Sequence, residues 1–184
     1  MSNLYLIGYR AAGKSVVGRQ LAATLGLPFR DSDLLLVERA GLSISAFVEK
    51  FGWAAFRKLE NEILRECNAA AAMVLATGGG IVLDPENRDL LRCGGQVIWL
   101  KAGPEVIFAR LARDPRTADF RPPLSALSPP EEIRRGLFER EPLYRKTAHF
   151  VIEVDQLSLS AIVARIGDYL QKNGAFIQSP KVMP

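Results

Sequence analysis

The chain is poor in the residues that build disulfide frameworks and metal centres. Of its 184 residues only two are cysteine, Cys67 and Cys93, and one is histidine, His149. The cysteines share no C-x-x-C spacing, so neither a disulfide scaffold nor a zinc site is implied, and a reducing cytoplasm is the expected compartment. No apolar run approaches the ~20 residues of a membrane span, and the N-terminus opens straight into an apolar β-like run with no basic-then-apolar signal pattern. A soluble, untargeted protein is expected. There is no excess of one charge either: 24 basic residues are interleaved with 20 acidic ones, for a net charge of +4. Without a long basic tract nucleic acid is not the expected partner, and anionic small molecules explain the balance as well. Internal repeats and low-complexity segments are absent. With 48% hydrophobic residues the chain can build one sizeable core.

The first dozen residues are the informative stretch. Leu4-Tyr5-Leu6-Ile7 is an apolar strand pattern, and Gly8-Tyr9-Arg10-Ala11-Ala12-Gly13-Lys14-Ser15 follows at once with the spacing G-x-x-x-x-G-K-S. Val17, Leu21 and Leu25 then recur at helical spacing. A glycine-bearing turn between a strand and a helix lets backbone N–H groups converge on phosphate oxygens, with the positive end of the helix dipole behind them. Lysine at this position reaches the β- and γ-phosphates, and the serine hydroxyl ligates Mg²⁺. The ATP-binding candidates in the loop are Gly8, Arg10, Ala11, Ala12, Gly13, Lys14, Ser15 and Val16. The competing reading, a plain strand-to-helix turn with an exposed lysine, has to explain why every fixed position matches.

Further along, strands and helices alternate. A strand over Leu27–Arg30 leads into Asp31-Ser32-Asp33 and a helix that closes at Gly41. Ser43 and Ser45 are candidate caps for a short helix over Ala46–Lys50, and beyond Gly52 a longer helix carries Phe56, Leu59, Ile63 and Cys67 on one stripe. Met73–Thr77 is a strand that runs into Gly78-Gly79-Gly80. Asp84-Pro85 starts a helix, Gln96–Leu100 is a strand, and a helix follows from Pro104 to about Ala112. Residues 113 to 124 are rich in Arg, Asp and Pro and have no periodic apolar face, which predicts a mobile lid closing over ATP with Arg121 at the γ-phosphoryl group. Arg113 or Arg116 is expected to stack on adenine. A helix from Ser128-Pro129 is expected to stop at Pro142; a strand over Phe150–Val154 and a helix marked by Leu159, Ile162, Val163, Ile166 and Leu170 complete the chain. His149 reads as structural.

This alternation predicts an α/β fold of three layers around a central parallel sheet of about five strands. Right-handed crossovers put all the strand carboxyl ends on one edge, so the P-loop, Asp31-Ser32-Asp33 and Gly78-Gly79-Gly80 should meet in one crevice. One domain over residues 1–174 is expected, with a substrate-binding insertion at about 33–62, a lid at about 113–124 and a tail at 175–184. D-x-x-G and N-K-x-D are both missing, which excludes a GTPase switch, and no strand ends in the acidic pair of a motor ATPase. A small-molecule kinase remains, with Asp31 holding the Mg²⁺ shell and Asp33 near an acceptor hydroxyl. Both carboxylates could instead merely cap the next helix. Arg57 is a fork for a substrate carboxylate or else a surface partner of Glu60.

Six motifs in this order resemble shikimate kinase over nearly the whole chain: Gly8 to Ser15, Asp31-Ser32-Asp33, Phe56-Arg57 with Glu60, Gly78-Gly79-Gly80, Arg121-Pro122-Pro123-Leu124, and Arg140 with Pro142-Leu143-Tyr144-Arg145. The resemblance implies a P-loop fold like that of the nucleoside monophosphate kinases. It implies transfer of the γ-phosphoryl group of ATP, with Mg²⁺, to the 3-hydroxyl of shikimate in aromatic amino-acid biosynthesis, by a protein expected to be a monomer free of membrane and nucleic acid. It makes Lys14, Asp33 and Arg121 the catalytic candidates and Ser15 and Asp31 the metal candidates. ATP would be held by the loop and by Arg113, Arg116 and Arg121, and shikimate by Asp33, Arg57, Gly79, Gly80 and Arg140. Two positions depart from the family pattern. Trp53 follows Gly52 where glutamate is usual, and Val48 stands where a phenylalanine lines the pocket, so that Phe47, Phe51 or Trp53 is expected to repack that wall. The alternatives are another P-loop kinase for a different polyol acid or nucleotide, a nucleotide-binding module without turnover, or a basic nucleic-acid binder.

Overall fold

A computed structural model describes residues 2–113 and 128–174. Five parallel strands form the sheet: β1 (Asn3–Ile7), β2 (Phe29–Asp31), β3 (Val74–Ala76), β4 (Gly95–Lys101) and β5 (Phe150–Glu153), in the spatial order β2-β3-β1-β4-β5. Around it lie α1 (Lys14–Leu25), α2 (Ser32–Ala40), α3 (Ile44–Ala69), a 3₁₀ turn (Ile81–Leu83), α4 (Pro85–Gly94), α5 (Pro104–Arg113), α6 (Pro129–Thr147) and α7 (Leu159–Lys172). Strand β1 shows why the sheet is covered on both faces. Leu4 and Leu6 enter one core with Val17, Leu21 and Ile166, whereas Tyr5 and Ile7 enter the other with Phe56, Ile63 and Leu91. Alternate side chains of a strand point to opposite faces, so a run buried on both sides reads as continuously apolar.

The neighbours of β1 in the sheet are β3 and β4; the chain leaves β1 toward β2 on one side, and leaves β3 toward β4 on the other. This is the switch point where an open α/β sheet leaves a crevice at the strand carboxyl ends. The P-loop sits there. A Cβ on Gly8, whose φ is 143°, would come within 2.5 Å of the Leu100 carbonyl oxygen, so only glycine lets the loop turn this close to β4.

The helical stretch Ile44–Ala69 is, as expected, a short helix and a longer one divided at Gly52, whose φ of 78° and ψ of 167° are not helical. Ser43 caps the first, its hydroxyl accepting the Ala46 N–H at 3.2 Å. One expectation about an element requires correction. The helix from Pro129 does not stop at Pro142 but continues to Thr147. Proline there removes the bond to the carbonyl of Phe138, a residue 82% exposed on the solvent side, while the turns on either side of it are held by buried Arg140, Tyr144 and Thr147. Tertiary packing overrides the local breaker. His149 is structural as expected: its Nδ1 accepts the Val97 N–H at 3.0 Å, and burial holds the imidazole below its usual pKa and hence neutral.

Among the described residues no helix is long and apolar enough to cross a membrane. The lid expected at about 113–124, with Arg116 and Arg121, lies outside the described residues apart from Arg113, as does the tail at 175–184.

Candidate active site

The three turns meet as the topology demands. Together with α3 and α6 they enclose a crevice of about 450 Å³. Lys14 opens α1 behind Gly13, and its Nζ lies 2.8 Å from both the Gly8 and Tyr9 carbonyl oxygens, so the loop's own backbone orients a nearly buried ammonium. Ser15 donates its hydroxyl to Asp31 Oδ2 at 2.6 Å. The other oxygen of Asp31 accepts the Asp33 N–H at 3.1 Å and caps α2. Capping and a polar role beside the P-loop are therefore not alternatives for Asp31, because one carboxylate does both. Ser32 accepts the Gly78 N–H at 2.9 Å and ties the acidic turn to the glycine turn.

Each of the three glycines has a side chain or backbone group where a Cβ would be. On Gly78 it would lie 2.8 Å from both Asp33 Oδ1 and Glu60 Oε1, on Gly79 2.9 Å from the Arg10 nitrogen, and on Gly80 2.2 Å from Arg57 Nη2. Two carboxylates thus converge over Gly78. Asp33 is half-buried by surface but faces a walled crevice, and this burial, then Asp31, then Glu60, push its carboxyl up to about 7 against the pull of Lys14 and Arg57. Glu60 is also pushed up, first by burial, although Arg57 opposes the shift through a 2.6 Å bond from Nη1 to Oε2. Its Oε1 is buried without a partner.

Arg57 and Arg140 reach the Gly79-Gly80 turn from different helices. Arg57 rises from α3 beside Trp53 and Phe56, its Cζ 5.5 and 5.1 Å from their ring centroids. Arg140 comes from α6 and donates from Nη1 to the Gly79 carbonyl at 3.3 Å, beside Tyr144, whose hydroxyl donates to the same oxygen at 2.5 Å. Trp53 and Phe56 line the crevice, whereas the rings of Phe47 and Phe51 pair with each other at 4.9 Å away from its walls. Of the three aromatic residues expected to repack the pocket, Trp53 is the one placed to do so.

Arg10, Ala11, Ala12, Gly13 and Val16 also line the crevice. Arg113 does not: it is exposed at the end of α5. One turn earlier, Arg110 donates to the Ala11 carbonyl at 3.2 Å and borders the crevice near Leu157 and Ile162. Arg110, the first of four arginines at 110, 113, 116 and 121, was given no role of its own by the sequence. Glu60, Tyr9 and Tyr144 stood within the six motifs, again without roles of their own, although Glu60 at i+3 from Arg57 on a helix with an apolar stripe was a readable signal.

A parallel sheet with a phosphate-type loop at its switch point, and a recess lined by Arg57 and Arg140 beside it, define a P-loop protein of the nucleoside monophosphate kinase-like kind. The shikimate kinase family model matches residues 10–171, and the chain belongs to the shikimate kinase family. It is 44% identical to a shikimate kinase of Paracidovorax citrulli across 97% of both chains. It is 45% identical to one of Nitratidesulfovibrio vulgaris, over 83% of this chain and 86% of the relative. A solved shikimate kinase from Acinetobacter baumannii in complex with shikimate superposes with a TM-score of 0.87 at 37% identity, covering 94% of each chain.

Proposed function

We infer that this protein transfers the γ-phosphoryl group of ATP to the 3-hydroxyl of shikimate, giving ADP and shikimate 3-phosphate. Membership of the family supports the reaction. The observation that carries it onto this chain's residues is the convergence of Arg57 and Arg140 on the Gly79-Gly80 turn, in the same crevice as Lys14 and Asp33. The acceptor is a small carboxylic acid with ring hydroxyls, and this recess offers two guanidinium forks for the carboxylate, glycine backbone for a close ring face and one carboxyl for a hydroxyl. The segment 33–62 supplies most of that wall.

Mg²⁺ fits the donor set. Ser15 and Asp31 provide hard oxygens 2.6 Å apart beside the loop, and among the described residues no cluster of three or more His, Cys, Asp or Glu competes for a metal. An ion that keeps water and takes substrate phosphates needs few protein ligands. It would supply neutralisation of phosphate charge. On the protein side, Lys14 holds the phosphates in register, Asp33 aligns the hydroxyl and receives its proton, and Arg57 and Arg140 hold the ring so that oxygen and phosphorus meet in line.

ADP release with shikimate, compared with gluconate and nucleoside monophosphates under the same conditions, tests the reading. Turnover confined to shikimate is expected, and equal turnover with gluconate or a nucleotide would overturn it. Arg57→Lys separates the carboxylate fork from general charge, since an ammonium cannot reproduce paired N–H donors. The Michaelis constant for shikimate should rise roughly ten- to a hundredfold, the worth of a charge-assisted hydrogen bond, while that for ATP stays nearly constant. Equal effects on both substrates would remove Arg57 from the acceptor site.

A further inference from the structure

We propose that Tyr9, a variable position inside the phosphate loop pattern, is the positioning residue that sets the orientation of Arg140 toward the acceptor carboxylate. The proposal rests on the reading that Arg140 receives that carboxylate. Arg140 is a cation with only 8% exposure, yet none of the ion pairs among the described residues involves it. Among the described residues its polar surroundings are the Gly79 carbonyl, reached by Nη1 at 3.3 Å, the Tyr144 hydroxyl on that same oxygen and the Glu60 carboxylate further off, while the ring of Tyr9 has its centroid 5.2 Å from Cζ. Its Nε is buried with no partner. A guanidinium within about 6 Å of an aromatic centroid in a desolvated place is held by the negative ring face. Tyr144 and Gly79 hold one edge of the guanidinium, and the ring face of Tyr9 fixes the tilt of its plane.

The ring is in turn immobile. Tyr9 is 1% exposed, and a Cβ on Gly136 of α6 would come 2.6 Å from its hydroxyl, so helix and ring are in close contact. The Tyr9 carbonyl accepts Lys14 Nζ at 2.8 Å and the Ala12 N–H at 3.2 Å, which fixes the backbone that carries the ring. One residue therefore orients the phosphate lysine through its carbonyl and the acceptor arginine through its ring. Arg10 also lies near this ring, at 5.7 Å, but is paired with Glu132. The Tyr9 hydroxyl is buried without a hydrogen-bond partner, so the contribution comes from the ring and not from the phenol.

Steady-state kinetics on Tyr9 variants tests this. Tyr9→Phe should leave every constant within about twofold, whereas Tyr9→Leu should raise the Michaelis constant for shikimate roughly five- to thirtyfold, the range of a desolvated cation–π contact, with that for ATP and kcat little changed. Incorporating 3,4,5-trifluorophenylalanine at position 9 keeps the ring's shape while draining its face, so it decides the question even if the leucine variant fails to fold; it should raise the shikimate constant over Tyr9→Phe. In a cycle with Arg140→Met, which removes the cation, the fluorinated ring should add nothing to the methionine variant's defect. A shikimate constant unmoved by fluorination, equal rises for ATP and shikimate, or additivity in the cycle would each overturn the proposal. If Arg140→Met alone leaves shikimate binding unchanged, the role of Arg140 in the acceptor site fails and the inference falls with it. A normal response of Arg140→Met beside an inert Tyr9 defeats the inference alone.

Discussion

Lys14→Ala is expected to lower kcat by roughly 10²–10³-fold, about 3–4 kcal/mol of transition-state stabilisation, as removal of a preorganised charge from a water-poor site does. The charge is already in place before the reaction, because the Gly8 and Tyr9 carbonyls hold Nζ at 2.8 Å and the side chain is 92% out of solvent contact, given its 8% exposure. No rearrangement has to accompany the build-up of charge on the transferring group. Lys14 also pulls the Asp33 carboxyl down, so its loss should push that carboxyl higher and displace the acid limb of the pH–rate profile upward. Single-turnover quench experiments with saturating ATP separate the chemical step from binding. A Lys14→Ala variant that turns over at close to the original rate would dismiss the lysine from phosphoryl transfer.

Asp33→Asn should keep ATP affinity and lose most turnover, by roughly 10²–10⁴-fold, the usual worth of a positioned proton acceptor. Because phosphoryl transfer passes through a loose transition state, part of that loss comes from misorientation of the hydroxyl and not from slower proton removal. Calorimetry showing weakened ATP binding instead would make Asp33 a structural residue. The same carboxyl predicts two pH dependences of opposite sense. In the folded, ligand-free protein it is raised from 3.8 to about 7. A carboxyl raised on folding favours the folded state while protonated, so its contribution is fully present below the unfolded value and is lost as pH climbs through the folded one. Melting temperature should therefore decline between about pH 4 and pH 7 on account of Asp33, and Asp33→Asn should flatten that decline. Activity should do the reverse: kcat/KM for shikimate rises toward a limb near pH 7, since the ionised form is the acceptor. A wild-type melting curve whose pH slope is unchanged in Asp33→Asn would show that the carboxyl titrates in the ordinary range.

The sequence by itself determined the P-loop, the order of strands and helices, and the meeting of Asp31-Ser32-Asp33 with Gly78-Gly79-Gly80 beside it. Each of these depends on short-range chemistry: strand alternation, a glycine turn, a cap, and a crossover whose handedness is general. The six ordered motifs carried the family resemblance in the same way, as local signatures. The tertiary structure decided the rest. That Arg57 and Arg140 share one glycine turn depends on how α3 and α6 both approach it, and no spacing in the sequence encodes that approach. Pro142 was legible as a breaker but not as one overruled by buried Arg140 and Tyr144 on the same helix. Trp53 could be separated from Phe47 and Phe51 only by the bend at Gly52, before which the two phenylalanines pair with each other and after which Trp53 lines the crevice. The protonation of Asp33 was beyond any motif, because a carboxyl's pKa follows the desolvation and the charges around it, and Asp31, Glu60, Lys14 and Arg57 become its neighbours only once the chain is folded.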